Sequence, residues 1–161
     1  MARTHLVWDW NGTLLDDLSL VVSSTNHTFA AVGGRSVDSD EHRRRFRWPV
    51  AEFYAEILER AVDAEEFEEL DRIFHEAYRV GLTTISLAAD AEAAIRAWPG
   101  GQSLLSMWFH DELIPAVQTY GLAQHVHPHR RAADRGRRRA QGSATWPGTS
   151  PSSRCPATRW C

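Results

Sequence analysis

Apolar and polar positions along this chain fall into segments of two different periods. His5-Leu6-Val7-Trp8 is a short, β-prone run ending at Asp9, and Asn11-Gly12 marks a turn. Together they predict a buried strand feeding a loop. From about residue 16 the spacing becomes helical: Leu18, Val21, Val22, Thr25, Phe29 and Val32 recur at threes and fours until Gly33-Gly34. Ser36 to Arg47 is mostly polar, and its Arg43-Arg44-Arg45 run reads as a solvated face. Pro49 suits the first turn of the next helix, whose apolar face is Val50, Phe53, Tyr54, Ile57, Leu58 and Ala61. Phe67, Leu70, Phe74, Ala77 and Tyr78 form another such face, with Gly81 as the expected C-terminal cap.

A further helix (Leu87, Ala91, Ala94, Ile95, Trp98) runs into Pro99-Gly100-Gly101, and Gln102 to Ser106 reads as a second strand. Asp111 to Tyr120 is predicted helical, with Pro115 tolerable in its first turns and Gly121 as its stop. The order is strand, long helical insert, helix, strand, helix. That order predicts an α/β fold with a helical unit inserted after the first strand. Beyond about Gln124, Arg, Pro, Gly, Ser and Thr dominate and no apolar periodicity survives. The expected division is a core of residues 1–15 and 89–124, a helical unit over 16–88, and a basic, irregular, disordered tail over 125–161.

Composition adds bounds. Hydrophobic residues at 43% and charged residues at 24% suit a soluble globular protein. No run approaches the ~18 apolar residues of a membrane helix, and the first residues lack the h-region of a signal peptide. A cytoplasmic protein without a membrane partner is expected. The net charge of −3 hides a division: residues 1–112 hold 20 acids and 10 arginines, whereas 113–161 hold one acid, Asp134, and 8 arginines. There is no lysine in the chain, a bias that a GC-rich gene explains. Cys155 and Cys161 match no zinc or redox spacing. His125, His127 and His129 alternate, as metal ligands on an extended chain would, but within irregular sequence.

The candidate chemistry lies in Asp9-Trp10-Asn11-Gly12-Thr13-Leu14-Leu15-Asp16. A carboxylate at the C-terminal end of a strand, followed by a tight glycine turn, can face a substrate crevice. Carboxylates act as nucleophiles toward phosphoryl groups, and such a site needs a cation against the repulsion between two anions. A calcium loop is excluded, since its glycine belongs at position six and acids must follow at regular spacing.

"LVWDWNGTLLDD" resembles the first signature of the haloacid dehalogenase-like hydrolases, in the branch similar to phosphoglycolate phosphatases. The resemblance covers roughly residues 4–122. It implies an incomplete Rossmann-like core, with the insert as a helical cap. It also implies phosphomonoester hydrolysis through an aspartyl-phosphate on Asp9, with Mg2+ held by Asp9 and by the backbone carbonyl of Asn11. In that family the residue at Asn11's position is usually the general acid/base, and the one at Thr13 assists. The second signature, a Ser or Thr ending an apolar strand, is matched by Ser106 in "SLLSM", whose hydroxyl would donate to a phosphoryl oxygen. The implied partner is a small phosphorylated metabolite rather than nucleic acid.

Three departures set this chain apart. Asn11 stands where an acid is usual and cannot shuttle a proton. The third signature needs a lysine, or occasionally an arginine, and the chain has no lysine; the late pair of metal-binding acids is missing, since Asp134 is the only acid after Glu112. One account covers these losses and the charge reversal: a hydrolase sequence whose C-terminal part is aberrant, as a frameshift in a GC-rich gene would leave it. Activity is then expected to be impaired. The alternative is a non-catalytic protein that binds nucleic acid or other anions through its basic tail.

Overall fold

The computed structural model describes residues 4–128, which divide into two compact units: residues 4–15 with 87–128, and residues 16–86. The alternating histidines at 127 and 129, Asp134, both cysteines and nearly all of the basic tail lie outside the residues whose side chains are described.

The first unit is built on a parallel sheet of β1 (Leu6–Trp8), β2 (Gln102–Leu104) and β3 (His127–Pro128), in that order. Leu6 pairs with Gln102, Val7 with Ser103 and Trp8 with Leu104. The strand expected to reach Ser106 ends at Leu104, so Ser106 lies just beyond it. The α/β parallel arrangement that the element order implied is present, and the sheet gains a third short strand that apolar periodicity did not reveal. Gln102 pins the register: its carbonyl accepts from Trp8 Nε1 at 2.8 Å, and its amide donates to the Ile95 carbonyl at 2.9 Å. Ile95 and Leu104 are fully buried, each worth about 1.5–3 kcal/mol relative to exposure. Helix α5 (Ala91–Ala97) precedes β2, and α6 (His110–Thr119) follows it. Asp111 and Glu112 lie in the first turn of α6, where the helix dipole favours negative charge.

The second unit is helical: α1 (Leu18–Ala31), α2 (Ser39–Arg45), α3 (Val50–Leu58) and α4 (Ala64–Gly81). Phe29, Val37, Val50, Phe53, Tyr54, Ile57, Phe67 and Leu70 form its core. These are largely the positions that helical spacing placed on apolar faces. Helix α2 went unseen in the sequence because it has no apolar stripe; only His42 of its residues is buried. Its signal was capping chemistry. The Asp38 side chain accepts from Glu41 N at 2.7 Å, as Asp63 does from Glu66 N at 2.9 Å for α4. The arginine run does face solvent, paired with acids: Arg43 with Asp40, and Arg45 with Glu41 and Glu56.

Gly81 corrects one expectation. It is no left-handed cap, because its backbone stays right-handed (φ −78°) and the chain runs on into a 3-10 turn at Leu82–Thr84. A Cβ at this position would fall 2.2 Å from Leu20 Cδ1. The glycine instead leaves room for the Leu20 side chain of α1 where α4 ends. No helix among the described residues is long and apolar enough to cross a membrane.

Candidate functional site

Asp9 directly follows β1, and the loop after it is held by one buried anchor. Trp10 is 1% exposed, and its ring lies 5.9 Å from that of Tyr120. Its carbonyl accepts from Thr13 N, Leu14 N and Leu15 N at 3.3, 3.0 and 2.9 Å, which folds the chain back on itself. Gly12 makes this reversal with φ +68°, a left-handed conformation that costs side chains with a Cβ energy. Leu14 and Leu15 are buried by the reversal, while Asp9 and Thr13 stay exposed. The Thr13 hydroxyl points back to Asp9, with Oγ1 3.5 Å from Oδ2.

Ser106 arrives from the neighbouring strand. Leu105 N donates to the Trp8 carbonyl at 2.9 Å, which carries the β1–β2 pairing one residue past β2. Ser106 is buried, and its Oγ accepts from Trp108 N at 2.9 Å. The same oxygen lies 3.5 Å from Asn11 Oδ1. Both 3.5 Å contacts are longer than the usual 2.5–3.0 Å of an O–H···O bond. Catalytic hydrogen bonds are often loose before a ligand tightens them.

Asp9 and Ser106 share the wall of one cleft of about 430 Å³, together with Val7, Trp8, Leu105 and Met107. The structure therefore gathers all four sequence-derived residues at the ends of adjacent parallel strands. Asp9 and Ser106 line the cleft, Thr13 contacts Asp9, and Asn11 contacts Ser106. Val7, Leu105 and Met107 give the cleft an apolar wall that sequence reasoning did not name. Their signal was position, next to the strand ends, and two of them are large apolar side chains left in contact with solvent: Val7 at 51% and Leu105 at 56% exposure.

Electrostatically the cleft is sparse. Asp9 is the one titratable side chain among its described lining residues, which include no cationic side chain. The described residues contain no group of three or more His, Cys, Asp or Glu placed to hold a metal ion. Among the described lining residues a divalent cation would meet one carboxylate, that of Asp9. Magnesium at such sites relies on further carboxylates, water and substrate phosphate.

No protein-family model and no curated protein matches the sequence. Solved structures do match the fold. A "predicted phosphoglycolate phosphatase" from Haemophilus somnus is 15% identical with a TM-score of 0.62, over 80% of this chain and 64% of that one. A HAD hydrolase of family IA, variant 3, from Entamoeba histolytica is 17% identical with a TM-score of 0.63, over 81% and 63%. A haloacid dehalogenase-like family hydrolase from Streptococcus pneumoniae is 15% identical with a TM-score of 0.63, over 87% and 70%. The chain thus spans less than two thirds of the length of the first two. Identities this low establish fold alone, and the fold of this chain is that of the haloacid dehalogenase-like hydrolases.

Proposed function

We propose that this chain is a phosphatase-type hydrolase by descent, with Asp9 as its phosphoryl acceptor, and that it turns over poorly. One observation carries the reading: a strand-end carboxylate, Asp9, and a buried hydroxyl, Ser106, share a cleft at the ends of adjacent parallel strands. In this reading residues 16–88 act as the cap of a small phosphorylated metabolite's site. Asp9 Oδ attacks phosphorus, Thr13 steadies the carboxylate, and Ser106 donates to a phosphoryl oxygen.

The same site explains poor turnover. Removing one preorganised charge stabiliser costs about 10²–10³-fold in rate. Here the chain has no lysine at all, and the cleft's described lining adds no second acid for Mg2+, the cofactor that the resemblance implies. No step is therefore assigned to the metal.

Steady-state hydrolysis of p-nitrophenyl phosphate with added Mg2+ tests the reading. Slow turnover that Asp9→Asn reduces to background supports it. Rapid turnover would refute the impairment, and turnover indifferent to Asp9→Asn would refute the site. Steeply salt-dependent binding of duplex DNA, with no Asp9-dependent chemistry, would favour the basic-tail alternative.

A further inference from the structure

We infer that the groove between α1 and α4 of the helical unit binds a small organic cation, an ammonium group carried on an apolar body. Every residue involved lies within residues 16–86, so the inference stands apart from Asp9 and its cleft. Asp16 N donates to the Ser86 carbonyl at 3.1 Å. The chain therefore enters and leaves this unit at one point, with α1 leading away from it and α4 leading back. At that end Gly81 lies against Leu20, where a Cβ would come 2.2 Å from Leu20 Cδ1. Further along both helices come Ser24 and Ala77, then His27 and Glu76. Two small side chains in the middle leave a cleft of about 460 Å³ open between the helices, a size that suits a small molecule, roughly 300–1,000 Å³.

The two ends of the groove differ in chemistry. Leu20 and Val80 make one end apolar, and Val80 is 80% exposed beside it. In the middle, Ser24 is 2% exposed and its Oγ is buried with no hydrogen-bond partner. Its neighbour Ser23 spends its own hydroxyl on the Leu20 carbonyl at 3.0 Å. Buried polar atoms are nearly always paired, so a bound group that reaches Ser24 supplies the bond it lacks.

The far end is acidic. Arg72 Nη1 donates to Glu76 at 2.7 Å, but the same guanidinium also serves Glu69, through Nε at 2.8 Å and Nη2 at 2.5 Å. One cation between two carboxylates leaves a net negative charge beside the groove, and the lining residues include no arginine. That field attracts an ammonium group and repels a carboxylate or phosphate. An ammonium carries three donors and no acceptor. It can therefore serve the Glu76 carboxylate and the Ser24 hydroxyl while its apolar body covers Leu20, Ala77 and Val80.

Isothermal titration of the full chain with phenethylamine, 2-phenylethanol and 3-phenylpropionate tests this, because the three share an aryl body and differ in the charge of the head. Phenethylamine should bind saturably at one per chain, and 3-phenylpropionate weakest. Glu76→Gln should weaken the amine roughly tenfold, the scale of one hydrogen bond to a charged group, and leave the alcohol nearly unchanged. Ser24→Ala should weaken the amine about fivefold, the scale of one neutral hydrogen bond, without lowering the Tm of the unliganded chain. Ala77→Leu fills the groove and should abolish binding of both. Equal binding of amine and carboxylate, or an amine affinity unmoved by Glu76→Gln, would overturn the choice of a cation. An affinity unmoved by Ser24→Ala would remove the buried hydroxyl from the site. No saturable binding of any of the three, or binding that survives in a folded Ala77→Leu, would overturn the groove itself. Glu76→Gln and Ser24→Ala decide the matter if Ala77→Leu fails to fold.

Discussion

Asn11 and Ser106 stand 95 residues apart in the chain, and Ser106 Oγ lies 3.5 Å from Asn11 Oδ1. The two strand-end loops thereby approach each other. Ser106 serves both loops at once, since the same oxygen accepts from Trp108 N at 2.9 Å. Ser106→Ala is expected to cost about 0.5–1.5 kcal/mol of stability for the lost hydrogen bond. Asp9-dependent hydrolysis of p-nitrophenyl phosphate should fall by about 10²-fold or more, as for loss of an oxyanion donor. Ser106→Thr keeps the hydroxyl and should recover most of both. Urea denaturation and turnover measurements on the three proteins check this, and Ser106→Ala matching the wild type in both would contradict it.

That relationship was half legible in the sequence. Strand periodicity and the Asn-Gly turn placed Asp9 at a strand end, and the SLLSM run placed Ser106 near another. Nothing local stated that the two strands are neighbours in parallel register, because that pairing is made through Gln102, Trp8 and Ile95. The helices with apolar stripes were readable for the same reason that they are stable: each buries one face. Helix α2 was not, since its formation rests on the Asp38 cap and on ion pairs. Gly81 misled because a glycine at a helix end has two uses, and only the position of Leu20 tells which one applies.

The helical unit holds a buried polar pair at its base. Asp17 is 1% exposed, and the Tyr78 hydroxyl donates to its Oδ2 at 2.5 Å, joining the entry of α1 to α4. Asp17 spends its side chain on this bond and makes no capping bond to α1. Tyr78→Phe takes a donor from a buried acceptor and should cost about 1–3 kcal/mol. For a domain near this size that is a fall of several degrees in Tm. An unchanged melting curve for Tyr78→Phe would show that the bond contributes nothing.

His42 makes the helical unit sensitive to acid. Its ring stacks on Phe46 at 5.2 Å and meets Phe53 edge-on at 5.3 Å, and its Nε2 is buried without a hydrogen-bond partner. Burial pushes its pKa below the ordinary value of 6.5. The unfolded chain therefore binds this proton more readily than the folded one, and stability falls as pH drops below about 6.5 toward the folded value. His42→Leu should remove this component and lessen the loss between pH 7 and pH 5. Identical pH dependence of stability in the wild type and in His42→Leu would contradict the assignment.

The basic C-terminal segment makes a prediction about the gene. If a change of frame produced it, another frame past the codons for β3 should encode a basic residue near a helix start. An apolar run ending in paired acids should follow. The nucleotide sequence alone decides this. Neither alternative frame containing such a pattern would make the arginine-rich segment native and leave the missing acids unexplained.

The central claim is that Asp9 and Ser106 address one phosphoryl group. A crystal structure grown with orthovanadate, whose trigonal-bipyramidal form resembles phosphorus in transfer, measures this most directly. The account predicts vanadium within about 3 Å of an Asp9 carboxylate oxygen, with Ser106 Oγ within hydrogen-bonding reach, about 2.6–3.2 Å, of an equatorial oxygen. Vanadate bound elsewhere, or Asp9 and Ser106 side chains too far apart to reach one anion, would contradict it.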